Sequence, residues 1–149
     1  MNAAIGIDPS NPKRTVAVVI LTDRHARLLF VRTKRFPHCW QPVGGGMDPG
    51  DKSIKETAVR EVKEETGLNL ESSQLREVFR TSYDFGQGKV YFFLARAPIG
   101  LELRVDENEI DEWRWLSLEE AKELPMYPAT EKCVRFLARR PELLRQDPR

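Results

Sequence analysis

The chain reads as one α+β domain with a mixed sheet, and three features of its sequence predict this. Two β-branched and aliphatic runs, RTVAVVILT (14–22) and RLLFVRT (27–33), stand either side of the polar DRHA, the pattern of paired strands. QLREVFRTSYDF and KVYFFLARA flank GQG, the pattern of a hairpin. Ser53-Ile54-Lys55-Glu56 and Ser117-Leu118-Glu119-Glu120 have capping-box form, and each predicts a helix start.

Taken in order, residues 1–13 carry two prolines and little periodicity, which predicts a flexible arm. The two strands follow. KRFPHCWQPVGGGMDPGDK (34–52) holds three prolines and four glycines and is expected to be loop. The first helix opens at Ser53 and stops at Thr66-Gly67, glycine being the usual residue past a helix C-terminus. After the hairpin, LELRV and EWRWL each suggest a further strand. Pro125 ends the short helix that Ser117 opens, and ATEKCVRFLARR forms a last amphipathic helix ended by Pro141. The domain is expected to span 14–140, with 141–149 as a tail. There is no internal repeat, low-complexity tract or linker.

Composition narrows the function classes. At 149 residues, 40% hydrophobic and 32% charged, the chain belongs with ordinary globular domains. Its 24 basic and 23 acidic residues lack the basic field of a polymeric nucleic-acid binder, which leaves small anionic ligands open. No apolar run approaches the roughly 18 residues of a membrane span, and MNAAIGIDPSNPKRT has no long apolar stretch after a basic start. Neither a membrane partner nor a secretory signal is expected. Cys39 and Cys133 stand at unrelated positions, which suits the reducing cytoplasm better than a disulfide framework or a zinc site.

The most informative stretch is REVKEETGL (60–68). Glu61, Glu64 and Glu65 are spaced i, i+3, i+4, so a helix makes them neighbours, and the Glu61–Glu65 pair alone is unfavourable by about 0.2–0.5 kcal/mol. At about 100° per residue from Ile54, Ala58, Val62, Thr66 and Val59 define the packed face. On that wheel Glu65 falls at about 20°, inside the apolar stripe, Glu61 at about −20°, on its edge, and Glu64 at about −80°. Two carboxylates therefore turn toward the protein, where ionised groups are unfavourable unless paired or metal-bound. Arg60, four residues before Glu64, is one partner and cannot neutralise all three. A solvated acidic surface is the plain alternative; the direction of the side chains favours a hard cation, Mg²⁺ or Mn²⁺, in an all-oxygen site. The loop Pro42-Val43-Gly44-Gly45-Gly46-Met47-Asp48-Pro49-Gly50-Asp51 lies directly before this helix, and such a loop brings backbone close to a ligand.

Together, loop and helix resemble the Nudix box, G-x5-E-x7-R-E-U-x-E-E-x-G-U with U aliphatic. Gly45 through Asp51 matches the first part, and Arg60 through Leu68 matches the second completely. The resemblance extends over about 14–140 and implies the family's α/β/α sandwich with a mixed central sheet. Two departures stand out: Asp51 replaces the first glutamate, and eight residues rather than seven separate it from Arg60.

The resemblance implies hydrolysis of a diphosphate linkage in a nucleoside diphosphate derivative, with Mg²⁺ or Mn²⁺ as cofactor. By position, Glu61 and Glu65 would ligate the metal, Glu64 directly or through water, and the Gly44 carbonyl would complete the sphere. Arg60 would orient the glutamates, and Gly45 and Gly46 would border the substrate. Glu109, six residues before Trp115, has the spacing of a general base, although Glu107, Asp111 and Glu112 crowd the same segment. Arg32 is a candidate phosphate contact, and Tyr83 and Phe85 are candidates to stack a base, against plainer readings as a strand-end charge and core aromatics. His25 and His38 read as solvated loop residues.

Substrate is less legible. The proline that marks ADP-ribose hydrolases is replaced by Tyr83-Asp84, and the extra motifs of the NADH and coenzyme A members are absent. Tyr83-Asp84-Phe85 resembles MutT-type nucleoside triphosphatases, and the tyrosine with WRWLSLEEAK resembles dinucleoside polyphosphate hydrolases. The departures keep a rival open, a weak or inactive Nudix fold that binds a nucleotide or a protein. Homodimers are common in the family, and no self-complementary patch is legible here.

Overall fold

The computed structural model describes residues 13–145; positions 1–12 of the expected arm and 146–149 of the expected tail lie outside the described residues. The elements are β1 (Lys13–Thr22), β2 (Leu28–Thr33), β3 (Trp40–Gln41), β4 (Val43–Gly46), α1 (Ile54–Thr66), β5 (Arg76–Ser82), β6 (Gln87–Arg96), β7 (Ile110–Leu116), α2 (Leu118–Ala121) and α3 (Pro128–Arg139), with 3₁₀ turns at Ser72–Gln74 and Pro141–Leu144.

β1 is the spine of a mixed sheet. It runs parallel to β6 from Lys13↔Gln87 to Thr22↔Arg96 and antiparallel to β4 from Val16↔Gly46 to Val19↔Val43. Its expected pairing with β2 shrinks to one position, Thr22↔Leu28, because β4 takes the rest of that edge. β2 instead pairs with β7 and, at Val31↔Gln41 and Arg32↔Trp40, with β3.

Side chains alternate across this sheet and build two cores. Val16, Val18, Ile20, Phe30 and Phe92 pack with Cys133, Val134 and Leu137 of α3. Ala17, Val19, Leu21, Leu29 and Val31 pack with Ala58 and Val62 of α1. The helices thus cover opposite faces, an α/β/α sandwich.

Several details differ from the sequence expectation. Residues 34–52 contain β3 and β4: Pro42 falls between the two short strands, so neither ladder loses a donor. LELRV forms no strand: Leu101 N–H turns back to the Pro98 carbonyl at 3.2 Å and Arg104 N–H goes to the Thr66 carbonyl at the end of α1 at 3.0 Å, while Asp106 N–H, just beyond, bonds the Glu65 carbonyl at 3.2 Å. The hairpin connection is 83–86 and takes in only the first residue of GQG, since β6 already begins at Gln87 and Tyr83 N–H donates to the Gly88 carbonyl at 3.1 Å. Packing also continues beyond residue 140, where Leu143 and Leu144 are buried.

α1 is capped at both ends. Ser53 Oγ accepts from Glu56 N–H at 3.1 Å, but the Glu56 carboxylate accepts from Lys52 N–H rather than from Ser53, so only half the capping box forms. Gly67 adopts φ 79°, a left-handed conformation that glycine enters without a Cβ clash, and its N–H closes on the Lys63 carbonyl. α2 has the complete box between Ser117 and Glu120. Among the described residues no helix is long and apolar enough to cross a membrane.

Candidate active site

The helix phase determines which glutamates enter the protein. Glu61 and Glu65 are each 1% exposed, whereas the Glu64 side chain is 52% exposed. Against the buried pair lies β4. A Cβ on Gly45 would overlap the Glu61 carboxyl carbon, so glycine here leaves that carboxyl its place against β4. The Gly44 amide faces Glu65 from the same strand.

Glu65 is the most unusual group here. Neither carboxylate oxygen has a hydrogen-bond partner within the protein; the Gly44 amide and the Glu61 carboxyl face it without meeting hydrogen-bond geometry. Burial, followed by the neighbouring Glu61, holds its carboxyl well above the usual range.

Arg60 organises the mouth of the site. Its Nε donates to Asp51 Oδ1 at 3.2 Å and its Nη2 to Asp51 Oδ2 at 2.9 Å, a two-pronged pair. Nη2 also reaches the Gly46 carbonyl at 3.1 Å, and Nη1 bridges Glu61 at 2.9 Å and Glu64 at 3.3 Å. One guanidinium thus ties α1 to the glycine strand. Its hydrogen bonds hold the Asp51 carboxyl down at about 2. Among the described residues no three His, Cys, Asp or Glu side chains converge as a ligand set, because Glu64 turns outward onto Arg60.

The segment before β7 delivers one further acid. Its attachment to α1 through Arg104 and Asp106, and the Lys34 N–H bond to the Glu109 carbonyl at 2.8 Å, fix Glu109 within electrostatic reach of Glu61, Glu64 and Glu65. Burial first, then hydrogen bonding with Asp106 and the negative charges of Asp106, Glu61 and Glu64, pushes the Glu109 carboxyl up to about 6. Two of the competing acids are engaged elsewhere: Asp111 with Lys34 and Arg32, Glu112 with Arg32 and Arg114. Glu107 is exposed.

The remaining expected residues stand on the other face of the sheet. Arg32 alternates with the α1-facing Val31 and pairs with Glu112 at 3.2 Å. Tyr83 is 4% exposed and packed in the α3-side core, with Phe85 across its edge at 6.1 Å, so packing claims the ring expected to stack a base. Phe85 is half-buried and meets Tyr127, itself edge-on to Phe36. Phe36, Tyr127 and Gln41 went unnoticed in the sequence. The two aromatics lie in Pro-containing segments without periodicity, and a lone glutamine carries no signal.

The NUDIX domain family model matches residues 11–137. A mouse bis(5'-nucleosyl)-tetraphosphatase (asymmetrical) is 33% identical over 95 residues, which cover 60% of this chain and 63% of that protein. The NAD-capped RNA hydrolase NudC of Stutzerimonas stutzeri is 28% identical over 127 residues, covering 85% of this chain and 44% of that protein. The chain thus spans less than two thirds of the length of either relative. Among solved structures, a C. elegans Ap4A hydrolase binary complex superposes with a TM-score of 0.67 at 22% identity, over 86% of this chain and 98% of that one, a likeness of fold. With the family match spanning most of the sequence, and its glutamates on the helix that faces a glycine strand, this chain belongs to the Nudix family.

Proposed function

We propose that the chain hydrolyses a diphosphate linkage in a nucleoside diphosphate derivative, a (d)NTP or a dinucleoside polyphosphate, using Mg²⁺ or Mn²⁺. The observation that carries this reading is the Glu65 carboxylate, fully buried with both oxygens unpartnered. A buried carboxylate in that state is strongly destabilising unless a cation accompanies it.

The donor set fits a hard divalent ion: Glu61 and Glu65 as carboxylate ligands, Glu64 once it leaves Arg60, and the Gly44 carbonyl as a further candidate ligand. Bound there, the ion would supply Lewis acidity toward the phosphate oxygens. The protein's own groups do the rest. Arg60 fixes α1 against β4 and so sets where Glu61 points. Glu109, with its carboxyl at about 6, is ionised at neutral pH and can take the proton of an attacking water. Gly45 and Gly46 border the diphosphate, and Arg32, with its side chain 31% exposed, and Phe85 remain the proposed phosphate and base contacts for the part of the substrate that extends onto the α3 side of the sheet.

Product formation tests the proposal, using nucleoside triphosphates, diadenosine polyphosphates and nucleotide sugars, each with Mg²⁺ and with EDTA. EDTA-sensitive cleavage supports it, and the best substrate sets the subclass. A protein that binds these compounds and cleaves none of them is a binding module.

A further inference from the structure

Gln41 is the other orphan of the interior. It is 1% exposed, and neither its Oε1 nor its Nε2 has a partner within the protein. Among the described residues, these two atoms and the two oxygens of Glu65 are the buried side-chain nitrogens and oxygens in that condition. A carboxamide buried unpaired is destabilising, and an apolar side chain of the same volume would suit folding better.

The topology puts both orphans on one face. Gln41 sits across from Val31, which packs in the core that α1 covers, while its neighbour Trp40 packs in the opposite core. Glu65 reaches that same α1 face from above. Only Pro42 and Val43 separate Gln41 from Gly44, whose amide faces the Glu65 carboxylate. Gln41 and Glu65 are not hydrogen-bonded to each other. The chemistry that satisfies both is a hydrated divalent cation: hard ions of this class keep several waters, which donate to an amide oxygen. An amide also adds no charge to a site that already holds Glu61, Glu64, Glu65 and Glu109.

We propose that Gln41 is a positioning residue of the glutamate site, whose carboxamide hydrogen-bonds the hydration shell of the cation that Glu65 takes. This rests on the metal reading above. An outer-shell partner of this kind tunes metal affinity by about 10- to 100-fold.

The test is Mn²⁺ binding to the full chain without substrate, read from the free-ion EPR signal, with melting in EDTA alongside. Wild type is compared with Gln41→Met and, as a second replacement of similar bulk, Gln41→Leu. Expected are melting temperatures equal to or above wild type, with Mn²⁺ affinity at least tenfold weaker. Unchanged affinity in both variants overturns the proposal, and so does a lowered melting temperature in both, which marks a packing role. If wild type binds no Mn²⁺, the metal reading fails and takes this inference with it, an outcome distinct from failure of the variants alone.

Discussion

Arg60 and Asp51 form a two-pronged ion pair at 3.2 and 2.9 Å, although Asp51 is a methylene shorter than the glutamate of the family pattern and stands one residue further from the arginine. The loop makes up the difference. Asp51 Oδ2 also accepts from Asp48 N–H and from Thr57 Oγ1, each at 2.9 Å, so the shorter carboxylate is held from three sides. The departure from the pattern is compensated locally.

Asp51→Ala should therefore cost about 2 kcal/mol, the value of charge-assisted hydrogen bonds lost from a partly buried group. Asp51→Glu, which restores the family residue, should also destabilise, by about 1 kcal/mol, because a longer side chain must shift to keep the bonds to Arg60, Asp48 N–H and Thr57 that now fit aspartate. Urea midpoints decide both. The pH dependence has a definite sign. The folded carboxyl lies at about 2 against 3.8 unperturbed, so its stabilisation is present above 3.8 and is lost as pH falls through about 2. Asp51→Asn should lack that acid limb.

Glu65→Gln removes a buried carboxylate that no protein group pairs. Melted in EDTA at neutral pH, the variant should unfold at a higher temperature than wild type. Addition of Mg²⁺ should raise the melting temperature of wild type and leave the variant unmoved.

Glu109 must be ionised to act as a base, so the rate should rise as pH climbs through about 6 and level off above it. Glu109→Gln should lower kcat by about 10²- to 10⁴-fold and abolish that rise. A pH–rate profile of both proteins checks this.

Gly45→Ala places a methyl group where the Glu61 carboxyl lies. The carboxylate must leave its position beside Arg60, so Mg²⁺ affinity should fall at least tenfold, read by calorimetry. The three atoms nearest the new methyl all belong to Glu61, so the Arg60–Asp51 pair and the acid limb of stability should persist.

What the sequence made legible was local. The 3.6-residue period places Glu65 inside the apolar stripe, Glu61 on its edge and Glu64 further round, because backbone geometry alone sets the direction of a helical side chain; only the fold shows Glu61 fully buried and Glu64 half exposed. The parallel union of β1 with β6 was hidden, since its partners lie more than seventy residues apart in sequence, as with Lys13 and Gln87. β3 and β4 were masked by Pro42 and three glycines, which read as loop yet are extended when a neighbouring strand supplies the ladder. Glu109 has the expected spacing from Trp115, yet Glu107, Asp111 and Glu112 crowd the same segment; what distinguishes two of these neighbours is their basic partners, Lys34 and Arg32 for Asp111 and Arg32 and Arg114 for Glu112. Tyr83 read as a ligand contact because nothing in Tyr-Asp-Phe reveals which ring the core will claim.

The proposed cation role of Glu65 follows from its two buried, unpartnered oxygens. Calorimetric titration of the metal-free protein with Mg²⁺, beside Glu65→Gln, tests it most directly. Saturable binding in wild type and its loss in the variant are expected. Equal binding by both proteins, or none by wild type, would contradict it.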